Sequence, residues 1–77
     1  MMMTIDEARA LAQGWDESGT FDIEDIDCRL WWDSLDAMLR DAGTGLSIQD
    51  VWATREWEWE YAPLLDEVLR LCEAGKE

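Results

Sequence analysis

The sequence contains no histidine, and only two of its 77 residues are cysteine. Histidine is the most common general acid or base in enzymes and a frequent zinc ligand, so its absence removes the usual routes to both kinds of site. Two cysteines alone cannot complete an ordinary four-ligand zinc site. Glycine-rich phosphate-binding motifs are also absent from the sequence. We therefore expect no enzyme activity, no metal and no cofactor.

Long apolar segments are missing as well. No run approaches the roughly 18 apolar residues needed to cross a bilayer, and the first residues do not resemble the basic and apolar leader of a secreted protein. Cys28 and Cys72 fall on apolar helical stripes, so we expect them to be buried thiols. The expected location is the cytoplasm, or the host cell cytoplasm if the protein is encoded by a phage.

Positive charge is scarce in this chain. Six basic side chains stand against 19 acidic ones, and the formal net charge is −13. A protein with this charge repels nucleic acid phosphates and anionic membranes and attracts basic proteins, at rates that fall as salt rises. We expect a basic protein partner, with no direct binding to nucleic acid or to a membrane.

The apolar content is high for so acidic a chain, with 48% apolar residues and six tryptophans. Such a chain can bury a core, whereas a disordered acidic tail cannot. We expect residues 1–77 to form a single acidic helical domain. Tryptophan also suits a surface that is buried by another subunit, so a homodimer is left as an open alternative.

The spacing of Thr4 and Glu7 is that of a capping box, which predicts a first helix over Ile5–Gln13. Gly14 is expected to end this helix. The following segment, Trp15–Thr20, lacks helical periodicity and predicts a loop.

The second helix is predicted by an apolar stripe that ends before Gly43. Its apolar residues are Cys28, Trp31, Trp32, Leu35, Met38, Leu39 and Ala42, and its solvent face carries Arg29, Asp33, Asp36 and Arg40. The first residue of this helix is left open, because three acids are suited to cap it: Asp22, Asp25 and Asp27.

Two further helices are predicted near the C-terminus. Ser47 and Asp50 repeat the capping-box spacing before a short stripe of Ile48, Val51, Trp52 and Trp59. Pro63 fits only the first turn of a helix, so a boundary or kink is expected near it. The last helix then has an apolar stripe that consists of Leu64, Leu65, Val68, Leu69, Leu71 and Cys72.

Strict alternation of apolar and polar residues over Trp57–Tyr61, and in parts of Phe21–Leu30, is typical of a half-buried strand. A minor β-hairpin is therefore an alternative for these segments. The predicted fold class is all-α, a small bundle of three to four helices.

Asp33, Ser34 and Leu35 form a D-S-L tripeptide that resembles the phosphopantetheine attachment site of acyl carrier proteins, which are small, acidic and helical. The resemblance implies that Ser34 carries the phosphopantetheine arm on an exposed hydroxyl at the start of a helix. The other interpretation of Ser34 is an ordinary serine on the surface of the second helix.

Two groups of acids contain no basic residue among their members, Asp16, Glu17, Asp22, Glu24, Asp25 and Asp27 in the first and Glu56, Glu58 and Glu60 in the second. Carboxylates three or four residues apart on a helix lie roughly 5 to 6 Å apart at Cβ, a spacing that can imitate a row of phosphates. Arginine binds carboxylates and phosphates with the same paired hydrogen bonds. Trp52 and Trp59 lie off the main apolar stripe and are the candidate aromatic anchors.

These features predict an inhibitor that mimics nucleic acid and blocks a basic DNA- or RNA-binding protein or complex. It is similar in character to anti-CRISPR and anti-restriction proteins. Two alternatives are an acyl carrier protein with Ser34 as its attachment site, and an acidic assembly chaperone, antitoxin or immunity protein for a basic client.

Overall fold

The computed structural model describes residues 3–22, 24–54 and 60–74, and these residues form four helices and no strand. Helix α1 spans Ile5–Ser18, α2 spans Ile26–Asp41, α3 spans Ile48–Thr54 and α4 spans Tyr61–Ala74. The prediction of an all-α bundle is confirmed. The alternating run that begins at Trp57 lies outside the described residues up to position 59, and its last residue, Tyr61, begins α4.

Capping boxes begin α1 and α3 at the predicted positions. The Thr4 hydroxyl accepts a hydrogen bond from the Glu7 amide at 3.1 Å, and the Glu7 carboxylate accepts one from the Thr4 amide at 3.4 Å. At α3 the Ser47 hydroxyl accepts from the Asp50 amide at 3.1 Å, while the Asp50 carboxylate accepts from the Ser47 amide at 3.0 Å. Each box supplies acceptors to amides that have no partner inside the helix.

The cap of α2 is Asp25, which settles the choice among the three candidate acids. Its carboxylate accepts a hydrogen bond from the Asp27 amide at 2.8 Å, and its own amide donates to the Asp22 carbonyl at 2.9 Å. Asp27 lies in the first turn, where its negative charge favours the positive end of the helix dipole. At α4, Pro63 lies in the first turn, as predicted.

Helix α1 is longer than predicted, and the expected end at Gly14 is wrong. The helix runs to Ser18, so most of the predicted loop over Trp15–Thr20 is helical. Gly19 ends it in the left-handed conformation, at φ 72°, and donates its amide to the Trp15 carbonyl at 2.8 Å. The extra turn forms because Trp15 packs against the core, and this contact outweighs the cost of a glycine in a helix, about 1 kcal/mol.

All four helices contribute to one hydrophobic core. Helix α1 packs against α4, α3 packs against α2 and α4, and α2 also contacts α4. The predicted stripe of α2 is confirmed, because Cys28, Trp31, Leu35 and Leu39 are buried and its other members are partly buried. The remaining buried apolar residues are Ala8, Ala12, Ile48, Val51, Leu64, Leu65, Val68 and Cys72.

Both cysteines are buried thiols that form no disulfide, as predicted. Within the part of the chain that the structure describes, no helix has the length and apolar character required to traverse a lipid bilayer.

Among the described residues, an aromatic cluster connects the four helices and contains Trp15, Phe21, Trp31, Trp32, Trp52 and Tyr61. Trp31 is completely buried, and its indole N–H donates to the Ala8 carbonyl of α1 at 2.9 Å. Phe21 and Tyr61 stack with ring centroids 4.3 Å apart. Contacts of this kind stabilise a fold beyond the burial of their area.

Alanine substitutions at the two glycines near the end of α1 should change the free energy of unfolding in opposite directions. Gly19→Ala should lower the free energy of unfolding by about 1 kcal/mol, because a Cβ disfavours positive φ. Gly14→Ala should raise it by roughly 0.5 to 1 kcal/mol, because Gly14 is an exposed residue inside the helix and a Cβ there meets no atom within 4 Å. Urea unfolding followed by circular dichroism measures both values, and an equal response of the two variants would show that the helix ends elsewhere.

Candidate partner-binding face

Five of the six acids in the first predicted group are exposed where α1 ends and α2 begins. These five residues, Glu17, Asp22, Glu24, Asp25 and Asp27, form the acidic edge. Glu17 belongs to the last turn of α1 and Asp27 to the first turn of α2, while Asp22, Glu24 and Asp25 lie between these helices. The Asp22 carboxylate accepts a hydrogen bond from the Glu24 amide at 3.0 Å, and Asp25 caps α2. Local hydrogen bonds therefore hold Asp22 and Asp25, and the two helices hold Glu17 and Asp27.

Asp16, the sixth acid, differs from the others. It is partly buried, and its two carboxylate oxygens accept hydrogen bonds from the amides of Tyr61 at 2.6 Å and Ala62 at 3.0 Å. Asp16 thus supplies the N-terminal acceptors of α4 from a distant part of the chain. The sequence offered one signal, because no Ser, Thr, Asp or Asn precedes α4 at positions 57–60.

Within the described residues, the ion pairs of three arginines involve acids outside the acidic edge. Arg9 pairs with Asp66 at 2.9 Å, linking α1 to α4. Arg40 pairs with Asp36 at 2.7 Å, and Arg70 pairs with Glu67. Three of the four arginines that the structure describes are thereby directed to other acids. The ion pairs of these three arginines leave the negative charge of the acidic edge in place.

Only one residue of the second acidic group can be placed. Glu60 is exposed directly before α4, whereas Glu56, Glu58 and Trp59 lie outside the described residues.

Trp52 was expected to offer an exposed aromatic anchor, and it is half-buried. Its ring stacks on Tyr61 with centroids 5.7 Å apart and lies 5.9 Å from the ring of Trp32. Part of the Trp52 surface is therefore used inside the protein, within the aromatic cluster.

Ser34 is buried, so its predicted position on the helix surface is wrong. It is 4% exposed, and its hydroxyl accepts a hydrogen bond from the Met3 amide at 3.3 Å. The cause is the segment before α1, which covers α2 at this point. The resemblance to acyl carrier proteins implies an exposed hydroxyl at the start of a helix, and Ser34 instead lies in the middle of α2.

The acidic edge acts electrostatically on the buried thiol of Cys28. Burial raises the pKa of Cys28, the backbone of Asp22 lowers it through a hydrogen bond, and the charges of Asp25, Asp22 and Asp27 raise it further. Because the folded-state pKa is raised, the thiol stabilises the fold at pH values below its ordinary pKa. This stability is lost as the pH rises through the folded-state pKa.

Among the residues that the structure describes, no group of three or more histidine, cysteine, aspartate or glutamate side chains is arranged to hold a metal ion. Comparisons with protein-family models, with curated proteins and with solved structures give no match.

Alanine substitutions at the neighbouring acids Asp16 and Glu17 should change the free energy of unfolding by clearly different amounts. Asp16→Ala should lower the free energy of unfolding by about 1 to 2 kcal/mol, because two amides of α4 lose their acceptor. Glu17→Ala, at an exposed position on the same helix, should change it by less than about 0.5 kcal/mol. Denaturant unfolding of the two variants provides the measurement, and a harmless Asp16→Ala would contradict the capping role.

The field of the acidic edge can be measured at Cys28. Asp25→Asn should lower the pKa of the Cys28 thiol, because it removes a nearby negative charge while asparagine still caps α2. Asp33→Asn is the matched control, since Asp33 lies on the same helix and does not contribute to the shift. The pKa is read from the Cβ carbon chemical shift of Cys28 as a function of pH. Equal pKa values in the two variants would show that the acidic edge does not reach the thiol.

Proposed function

We propose that this protein inhibits a basic nucleic-acid-binding protein or complex by occupying its nucleic acid site. The observation that carries the proposal is the acidic edge, five exposed acids at the junction of α1 and α2, with Arg9, Arg40 and Arg70 paired to acids elsewhere. An inhibitor of the anti-CRISPR or anti-restriction type has this character.

The mechanism is competition for lysine and arginine side chains. Arginine forms two parallel hydrogen bonds with a carboxylate as it does with a phosphate. Basic clefts attract polyanions over long range, and a protein of net charge −13 is attracted by the same field. Binding of this kind weakens as salt rises, because counterions screen both partners. DNA or RNA and this protein would then exclude each other from the target.

An acidic chaperone, antitoxin or immunity protein is the second candidate, and an exposed isoleucine favours it. Ile26 lies beside the acidic edge and is exposed, and phosphate mimicry alone does not require an apolar side chain there. Such a protein would bind its basic client whether or not nucleic acid is present. For the acyl carrier alternative, the burial of Ser34 places the hydroxyl where an attached arm would have no room.

The proposal is tested by capturing partners from a bacterial lysate with the full chain at low and moderate salt. The acidic-edge variant Glu17→Gln, Glu24→Gln and Asp27→Asn is compared with a control, Asp6→Asn, Asp41→Asn and Glu73→Gln. All six residues are exposed, both variants lose three negative charges, and Asp6 and Asp27 occupy the first turns of α1 and α2. The comparison therefore separates the position of the charges from their number.

The expected result is capture of a basic nucleic-acid-binding protein that added DNA or RNA releases. The acidic-edge variant should weaken its binding at least about tenfold, which corresponds to the loss of roughly 1.4 kcal/mol, and the control variant should weaken it less. Equal losses in the two variants would show that only net charge matters. A client that nucleic acid does not displace would favour the chaperone or immunity function.

A further inference from the structure

Helix α2 presents two large apolar residues to solvent beside the acidic edge. Ile26 is 80% exposed and Leu30 is 40% exposed. They are four residues apart, so they are neighbours on one face of the helix. At 100° per residue this face lies opposite the buried stripe of α2 that contains Cys28, Trp31 and Leu35. The core of the protein therefore does not account for these two side chains.

The surroundings of this apolar pair are charged. A shallow depression at the surface is lined by Glu24, Ile26, Arg29, Leu30 and Asp33. Asp25 and Asp27 flank Ile26 in the chain at the same end of the helix. An apolar centre with a charged and polar rim is the usual composition of a protein-binding surface.

We propose that Ile26 and Leu30 are the apolar anchor on which a basic amphipathic helix of the partner docks. This inference rests on one part of the proposed function, that a basic protein binds at the acidic edge, and the chaperone alternative shares that part. It names the surface and the chemistry of the partner. The partner contributes an apolar residue that covers Ile26 and Leu30, and its lysine or arginine side chains meet Glu24 and Asp33. Recognition of an amphipathic helix commonly combines an apolar contact with flanking charges in this way.

Charge decides between a basic partner and a second copy of this chain. Two copies that meet at this face would each bring the acidic edge and a formal net charge of −13. Like charges at a contact oppose association, whereas a basic helix neutralises them. The rim carries one cation, Arg29, against four acids, which are Glu24, Asp25, Asp27 and Asp33, so its charge favours a basic partner.

Two synthetic helical peptides of equal length and equal positive charge serve as probes. One carries leucine on its apolar face, and the other carries alanine at the same positions. Binding is measured with the full chain, with the double variant Ile26→Ala and Leu30→Ala, and with the control Ile5→Ala and Leu46→Ala. The control is matched because Ile5 is 46% and Leu46 39% exposed, and Ile5 begins α1 as Ile26 begins α2.

The protein should bind the leucine peptide at least about tenfold more tightly than the alanine peptide. The Ile26→Ala and Leu30→Ala variant should lose this preference, and the control variant should keep it. Methyl NMR of the unaltered protein should show the largest shifts at Ile26 and Leu30 when the leucine peptide is added. Because this measurement needs no variant, it holds even if the double variant folds poorly.

Several results would overturn the inference. They are the absence of a preference for the leucine peptide, equal losses in the two double variants, or methyl shifts confined to other residues. A dimer in sedimentation that dissociates on Ile26→Ala and Leu30→Ala would show that the occupant is a second copy.

The acidic-edge variant separates the two proposals. If the acidic-edge variant weakens binding of both peptides, while the Ile26→Ala and Leu30→Ala variant binds them as the unaltered protein does, the proposed function stands and the inference falls. If it weakens neither peptide, the proposed function falls.

Discussion

A tryptophan that is completely buried needs an acceptor for its indole N–H, and Trp31 finds one in the Ala8 carbonyl, at 2.9 Å. This bond holds α2 against α1 in the centre of the protein. The ring of Trp15 meets Trp31 edge to face at 5.3 Å, so the last turn of α1 gains a place in the core. That turn in turn brings Asp16 to the amides that begin α4. The positions of α1, α2 and α4 thus depend on the hydrogen bond of the Trp31 indole and on the packing of its ring.

The same arrangement separates acids that support the fold from acids that face solvent. Asp16 accepts hydrogen bonds from the first amides of α4. Asp36 pairs with Arg40 and accepts a hydrogen bond from the Ile48 amide at 3.0 Å. The acidic edge lies at the junction of α1 and α2, where its five residues are exposed, and the carboxylates of Asp22 and Asp25 accept local hydrogen bonds. Concentrated charge of this kind costs stability through mutual repulsion, and binding to a basic partner would relieve that repulsion.

Local signals in the sequence predicted most of the helices, because capping spacings and apolar stripes act over a few residues. The starts at Thr4 and Ser47 and the buried stripe of α2 are of this kind. The errors have a common cause in contacts between distant residues. Gly14 lies inside α1 because of the packing of Trp15, and Ser34 is buried because Met3 lies over it. The acids of the candidate site could be chosen from composition, but only the structure separates Asp16 from its neighbours.

Carboxylate footprinting tests the central claim, that the acidic edge is the surface covered by a basic partner. The protein is labelled with a water-soluble carbodiimide and an amine, free and in complex with the captured partner, and labelling at each acid is measured by mass spectrometry. The account predicts that the complex protects Glu17, Glu24 and Asp27, while the exposed acids Asp41 and Glu73 react as they do in the free protein. Unchanged labelling of the acidic edge, with protection at Asp41 and Glu73, would contradict the account.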